Sequence, residues 1–585
     1  MIMDMNCREK ILSNNVYDYI TDFPGEAIYT PDLTACAANI ENLYNILYIN
    51  KSAIPNQDVS FFEYQSTPKL YGLMQTGGFD ATSLIASGIT QVQRSPLRLT
   101  GRGTVICIID TGIDFLNPVF RDENGNSRIL AIWDQTIQTG TPPQGFLFGS
   151  EYTNEDINRA LRSENPYEIV PSKDENGHGT ALAGVAAGSS VSDASPYIGA
   201  APDAGIVVVK LKECKQYLRD FYLVPEGVPA YQENDIMLAV NYVDSFAELF
   251  RRPVVICLGL GTNMGDHAGS SALSRYLDLV AVKRSRGVVV CGGNEGNAAH
   301  HYRGVLAQGD GGENSQNVEI RVDEGEKGFI MELWGNLPDI ITTVVRSPGG
   351  ESIPVTRLAE GQTITYGFVY ERSRITIRSI LVEPSSGAQL LLFRLQNPTP
   401  GIWTFQVSAV GEVHNGEFHV WLPIKEFLNS NVYFLSPNPY TTLTEPAMAY
   451  NVISVSTYNA FNNSFYIESG RGYSRTGAVR PDFAAPGVNI TVVTPTRGES
   501  NPPAITPVNA TSTGSSLAAA MTAGAVAQFL QWAVVERNNQ YVESREIKSY
   551  LIRGADRSAD TAYPNREWGY GRLDVAGVFE ALRGV

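Results

Sequence analysis

Residues 104–114 read Thr-Val-Ile-Cys-Ile-Ile-Asp-Thr-Gly-Ile-Asp, an apolar run that ends on a carboxylate and turns at once on Thr-Gly. A short, uninterrupted apolar run reads as a strand buried on both faces of a parallel sheet. Asp110 then stands at the strand's C-terminal edge, where open α/β sheets keep their sites. Three runs of the same kind follow: GIVVVK at 205–210, PVVICLG at 253–259 and GVVVCGG at 287–293. Between and after them, NDIMLAVNYVDSFAELF (234–250) and SALSRYLDLVAVKRS (271–285) carry apolar residues at helical spacing. Strands alternating with helices predict an α/β fold, a parallel sheet covered by helices on both faces.

After Asn297 the rhythm changes. KGFIMELWG, TITYGFVY, RITIRSILVEP, AQLLLFRL, GIWTFQVSAV and GEFHVWLP succeed one another between turn residues, with no helical pattern until about Ile424. This stretch is expected to be an antiparallel β-sandwich of the jelly-roll kind inserted into the α/β unit. A small-residue helix, SLAAAMTAGAVAQFLQWAVV, comes late in the chain. The expected organisation is an N-terminal α+β segment (1–75), an α/β unit in two parts (76–304 and 441–585), and the insert (305–440).

At 585 residues, 43% hydrophobic and 18% charged, the composition is that of a soluble globular protein of several domains. A net charge of −17 with no basic block argues against nucleic acid as partner. The first twenty residues have neither the basic nor the apolar region of a secretory signal, and no apolar run approaches the length that spans a bilayer. Six cysteines, two of them inside apolar strands, are no disulfide framework; reduced thiols and a cytoplasmic location are expected.

Three short motifs carry chemistry. Asp110 is either a turn carboxylate or an acid placed for function; the second Asp-Thr-Gly that an aspartic protease needs is absent from the chain, and only a homodimer would supply it. His178 stands between two glycines in NGHGTALAG, ahead of a run of small residues, exposed at a helix entrance where a proton shuttle can reach a substrate. Ser516, in TSTGSSLAAAMTAG, starts the late helix: it is a nucleophile beside a helix N-terminus or merely a cap. The other histidines show no metal-ligand spacing, so no metal or cofactor is expected. LGLGTNMG at 258–265 spaces its glycines wrongly for a dinucleotide fingerprint.

Taken together, IIDTGID (108–114), NGHGTALAG (176–184) and GSSLAAA (514–520) resemble the three active-site motifs of the subtilases, in that family's order of Asp, His, Ser. The resemblance implies a serine endopeptidase with Asp110, His178 and Ser516 as its triad, acting on protein or peptide substrates. VVVCGGNEG (288–296) is similar to the family's oxyanion loop and implies Asn294 as the oxyanion donor. Gly259, Leu260 and Gly261 would form the wall of the specificity pocket and pair with an extended substrate. Ser515, Leu517, Ala520 and Met521 depart from the commoner Thr, Met, Pro and His of the family, without removing a catalytic group. An esterase would instead show a G-x-S-x-G elbow and the order Ser, Asp, His.

Subtilases commonly carry a propeptide that the enzyme itself removes. Residues 1–75 fit that role, and KLYGLMQTGG (69–78) is expected to lie in the cleft, with cleavage near Gln75. A propeptide, the lack of a signal and a sandwich after the oxyanion loop resemble the Csp germination proteases of spore-forming clostridia. That narrower resemblance implies a cortex-lytic zymogen as substrate, a propeptide that stays bound, and a location within the spore. Some members of that group lack triad residues, so a pseudoprotease or self-inhibited scaffold is the alternative reading.

Overall fold

A computed structural model of the chain describes residues 2–22, 36–41, 43–54, 63–74, 76–77, 82–190, 197–307, 315–355, 362–495 and 509–583. Its centre is a nine-stranded, mostly parallel sheet. In chain order the strands are β1 (Val105–Asp110), β2 (Ile129–Asp134), β3 (Ser150–Thr153), β4 (Gly205–Lys210), β5 (Val254–Leu258), β6 (Arg286–Cys291), β7 (Ile453–Asn459), β8 (Ser464–Phe465) and β9 (Phe483–Pro486). They lie side by side as β8-β7-β6-β5-β1-β4-β2-β3, with β9 also on β7. Every residue of β1, β5 and β6 is buried, which is why these strands read as unbroken apolar runs instead of alternating ones.

Helices cover both faces. α1 (His178–Ala187) and α4 (Ser515–Leu530) pack together on one side, where Ala, Gly and Thr let backbones approach; α2 (Glu233–Phe250) and α3 (Ala272–Ala281) pack on the other. Among the described residues, 515–535 form one helix long and apolar enough to cross a membrane, contrary to the expectation that none approaches that length. Of its apolar window 83% is buried inside the protein, against β5, β6 and β7.

The insert consists of two antiparallel sheets, one of six strands and one of five, enclosing a core that includes Phe329, Leu333, Phe393, Trp403 and Phe405. Its first strand, His301–Val305, starts ahead of the expected boundary at 305 and pairs with Glu417–Trp421. The strand Gly328–Gly335 is buried along its whole length. Phe329, Met331 and Leu333 face the sandwich core, while Ile330 joins the core of the α/β unit and Trp334 packs on Tyr64 of the N-terminal segment.

The N-terminal segment has a helix, Ile2–Leu12, and a three-stranded antiparallel sheet ordered Val16–Thr21, Tyr44–Asn50, Ala37–Ile40. It docks on the α/β unit through the buried Asp18, which accepts from Lys215 Nζ and Gln232 Nε2, both at 2.5 Å. Cys7 and Cys36 are joined by a disulfide across a Cα–Cα distance of 5.2 Å, which corrects the expectation of six reduced thiols. Their separation of 29 in sequence hid a pairing between the helix that carries Cys7 and the residue just ahead of the strand Ala37–Ile40. Cys107, Cys214, Cys257 and Cys291 are free and buried.

Candidate active site

Asp110 ends β1, fully buried, and His178 is the first residue of α1, entered through Gly177 at a φ of 88°. His178 Nδ1 lies 2.7 Å from Asp110 Oδ1, and its Nε2 lies 3.1 Å from Ser516 Oγ. Ser516 is the second residue of α4. Three side chains far apart in sequence thus form one hydrogen-bonded line, and only 3% of His178 is exposed to solvent, which corrects the expectation of an exposed imidazole at the helix entrance.

A buried carboxylate that the sequence reading missed holds two of these elements together. Asp174 Oδ1 accepts from Thr111 Oγ1 (2.8 Å) and Gly177 N–H (2.8 Å); its Oδ2 accepts from the N–H and hydroxyl of Thr180 at 2.8 and 2.6 Å. The turn after Asp110 and the first turn of α1 are therefore tied to one residue. Gly179 permits the approach: a Cβ there would sit 2.2 Å from the carbonyl of Gly112. Four residues before a histidine, an acid has no local signal of this role.

Asn294, 2% exposed, accepts from Ser515 N–H through Oδ1 at 3.1 Å, which leaves its NH2 end as the donor beside the start of α4. Gly259 is hemmed in: a Cβ would meet Leu182 Cδ1 at 2.6 Å, Ser516 Cβ at 3.0 Å and His178 Cε1 at 3.2 Å. Leu260 and Gly261 form a short strand at the edge of the cleft.

The cleft is occupied by the chain itself. Residues Leu70–Leu73 form a strand held on both sides, Leu73 and Gly72 pairing with Leu260 and Gly261, and Tyr71 and Leu70 pairing with Tyr231 and Gln232. The carbonyl of Met74 then accepts from Ser516 Oγ at 2.8 Å and from Ser516 N–H at 3.4 Å. Beyond it, Thr76 and Gly77 pair with Thr513 and Ser512. Gln75 lies outside the described residues. The Met74 side chain is fully buried, within reach of Gly261, where a Cβ would come 3.4 Å from its Cε. On the Leu73 side the cleft opens into a cavity of about 760 Å³ whose wall includes Asp114, Tyr167, Asn176 and His178.

A hydroxyl on an imidazole, the imidazole on a buried carboxylate, and an amide carbonyl on the hydroxyl's own backbone N–H are the parts of acyl transfer. The fold and site define a serine peptidase. The profile of the subtilase family matches residues 101–320 and 404–571, and the chain belongs to that family. Among solved structures it is similar to the Clostridium perfringens CspB protease, at 31% identity and a TM-score of 0.74, covering 86% of this chain and 97% of that one. It is also similar to fervidolysin from Fervidobacterium pennivorans, at 11% identity and TM-score 0.46, covering 97% of this chain and 62% of that one. MycP1 from Mycobacterium smegmatis matches at 14% and 0.36, over 88% of this chain and 90% of that one. No curated protein matches the chain.

Proposed function

We propose that this subtilase is an endopeptidase whose triad is Asp110, His178 and Ser516, and that its first substrate is its own Met74–Gln75 bond. The observation that carries the reading is the Met74 carbonyl, seated on Ser516 while the residues before and after it pair with both rims of the cleft. Ser516 Oγ attacks that carbonyl carbon as His178 Nε2 takes the proton. Asp110 holds the imidazole in the correct tautomer and stabilises the imidazolium. The carbonyl oxygen, now an oxyanion, is met by Ser516 N–H and the Asn294 amide; the 3.4 Å ground-state contact shortens as charge develops. His178 then protonates the leaving amine of Gln75, and water repeats the sequence to release the acyl group.

The likeness to CspB, together with the resemblance to germination proteases, supports a protein zymogen such as a cortex-lytic enzyme as the later substrate, met within the spore or its cytoplasm. Intact mass spectrometry of the wild type and Ser516→Ala is the test. Wild-type chain is expected as two fragments parted after Met74, and the variant as a single chain of 63.8 kDa. A variant that still cuts itself overturns the assignment. The rival reading, a self-inhibited scaffold, is favoured by the occupancy of the cleft by residues 70–74 and 76–77; a cleaved protein that turns over no second peptide would establish it.

A further inference from the structure

Lysine is among the residues least often buried, yet Lys69 exposes only 2% of its side chain, five positions before Met74. Its backbone is locked to α2: Lys69 N–H donates to Glu233 Oε2 at 3.2 Å, and Glu233 N–H donates to the Lys69 carbonyl at 2.9 Å. Its Nζ lies 3.5 Å from Glu233 Oε2 and 4.8 Å from the centre of the Tyr64 ring. The surroundings are rich in carboxyl groups. The ammonium acts electrostatically on Glu332 and Glu445, and Asp266 and Glu383 line the same small cavity as Lys69. Asp266 has its own cation in Arg475. Glu383 does not: it is 1% exposed, and its Oε1 has no hydrogen-bond partner among the described residues.

We propose that this slot is a lysine-recognition subsite of the enzyme, reading the sixth residue ahead of the bond that is cut. The inference rests on the reading that residues 70–74 lie in the cleft as substrate. Three features carry it. First, the carboxyl groups belong to the body of the enzyme, Glu233, Asp266 and Glu445 to the α/β unit and Glu332 and Glu383 to the insert, and none of them to residues 1–74. Second, with the slot empty Glu233 would lose the ammonium beside it and Glu383 Oε1 would still have no partner among the described residues, and a buried carboxylate without its cation is costly, so the slot favours the next chain that brings an ammonium. Third, the pairing of Leu70–Leu73 with both rims fixes the register: at about 3.3 Å per residue the slot stands about 17 Å from the reacting carbonyl, and a lysine one place off cannot reach it. The sandwich then contributes to specificity, because two of the five carboxyl groups, Glu332 and Glu383, are present only where it docks. The substrate class is a polypeptide that crosses the cleft in extended form with lysine at that one position.

Two measurements test this. In the full chain, Lys69→Met and Lys69→Glu are followed by intact mass over time, with far-UV circular dichroism as the check on folding. Cleavage after Met74 is expected to slow at least tenfold in the first and further in the second, while Lys69→Arg falls between wild type and Met. In parallel, self-processed wild-type protein is offered the peptide STPKLYGLMQTGG and its analogues with Met or Glu for the lysine; kcat/KM is expected to fall at least tenfold. Self-cleavage of Lys69→Met within twofold of wild type, or equal kcat/KM for the three peptides, overturns the proposal. Misfolding of both variants together with peptides that go uncut also counts against it, since Lys69 would then serve the fold alone. Failure of the underlying reading looks different: wild-type chain would not be parted after Met74 at all, or Ser516→Ala would still be cut.

Discussion

Ser516 has one proton and two acceptors in reach, the Met74 carbonyl at 2.8 Å and His178 Nε2 at 3.1 Å. While the proton points at the carbonyl the site rests; when it swings to the imidazole, a lone pair faces the carbonyl carbon and attack can begin. The two states differ by a rotation about one bond, so the proposed mechanism asks little reorganisation of Ser516. In the proposed mechanism Asn294 enters only when the oxygen becomes negative. Asn294→Ala is therefore expected to lower kcat for self-derived peptides by about 10²–10³, roughly 3–4 kcal/mol of transition-state stabilisation, with KM nearly unchanged. A rise in KM at constant kcat would instead make Asn294 a ground-state binding residue.

At the scale of elements, the site depends on how the end of β1 meets the start of α1. Asp174 accepts four hydrogen bonds there from Thr111, Gly177 and Thr180, all at 2.6–2.8 Å, while only 4% exposed. Removing the carboxylate strands buried donors on both elements, so Asp174→Ala is expected to destabilise the fold by about 1–3 kcal/mol in urea titration. It should also depress kcat, because His178 loses its fixed distance to Asp110. Loss of stability with kcat intact would mean that the helix entrance holds its place without Asp174. The small residues of α1 and α4 work to the same end, letting the two helices that carry His178 and Ser516 pack closely.

Across the whole molecule, Glu332 joins three segments: it lies on an insert strand, accepts from Gly265 N–H of the α/β unit at 3.0 Å and from the Tyr64 hydroxyl of the N-terminal segment at 2.8 Å. Burial pushes its carboxyl up from 4.5 to about 7, against the opposing pull of Gly265 N–H, Tyr64, Trp334 and Lys69. A raised value means that the folded chain keeps a proton that the unfolded chain has already released. Its contribution to stability is thus full below about 4.5 and lost as the pH rises through about 7. In a Ser516→Ala background, the Tm of wild-type Glu332 minus that of Glu332→Gln is expected to fall between pH 5 and 8; a constant difference would refute the assignment. Much of the molecule was legible beforehand. The apolar run ending at Asp110, the glycines around His178 and the small-residue helix behind Ser516 are local patterns, and burial on both faces of a parallel sheet writes itself directly into sequence. The strand-like run from 69 to 78 pointed to the cleft as well. What the sequence by itself determined was the set of elements and the side chains set at their ends, because these follow from neighbours a few residues apart. Only the tertiary structure decided that Met74 meets Ser516, that Asp174 ties the end of β1 to the start of α1, that Cys7 meets Cys36, and that Lys69 lies among carboxyl groups from both the α/β unit and the insert. Each of those contacts joins segments whose registers are set by sheet pairing and packing over long chain distances, and no local pattern encodes such a distance.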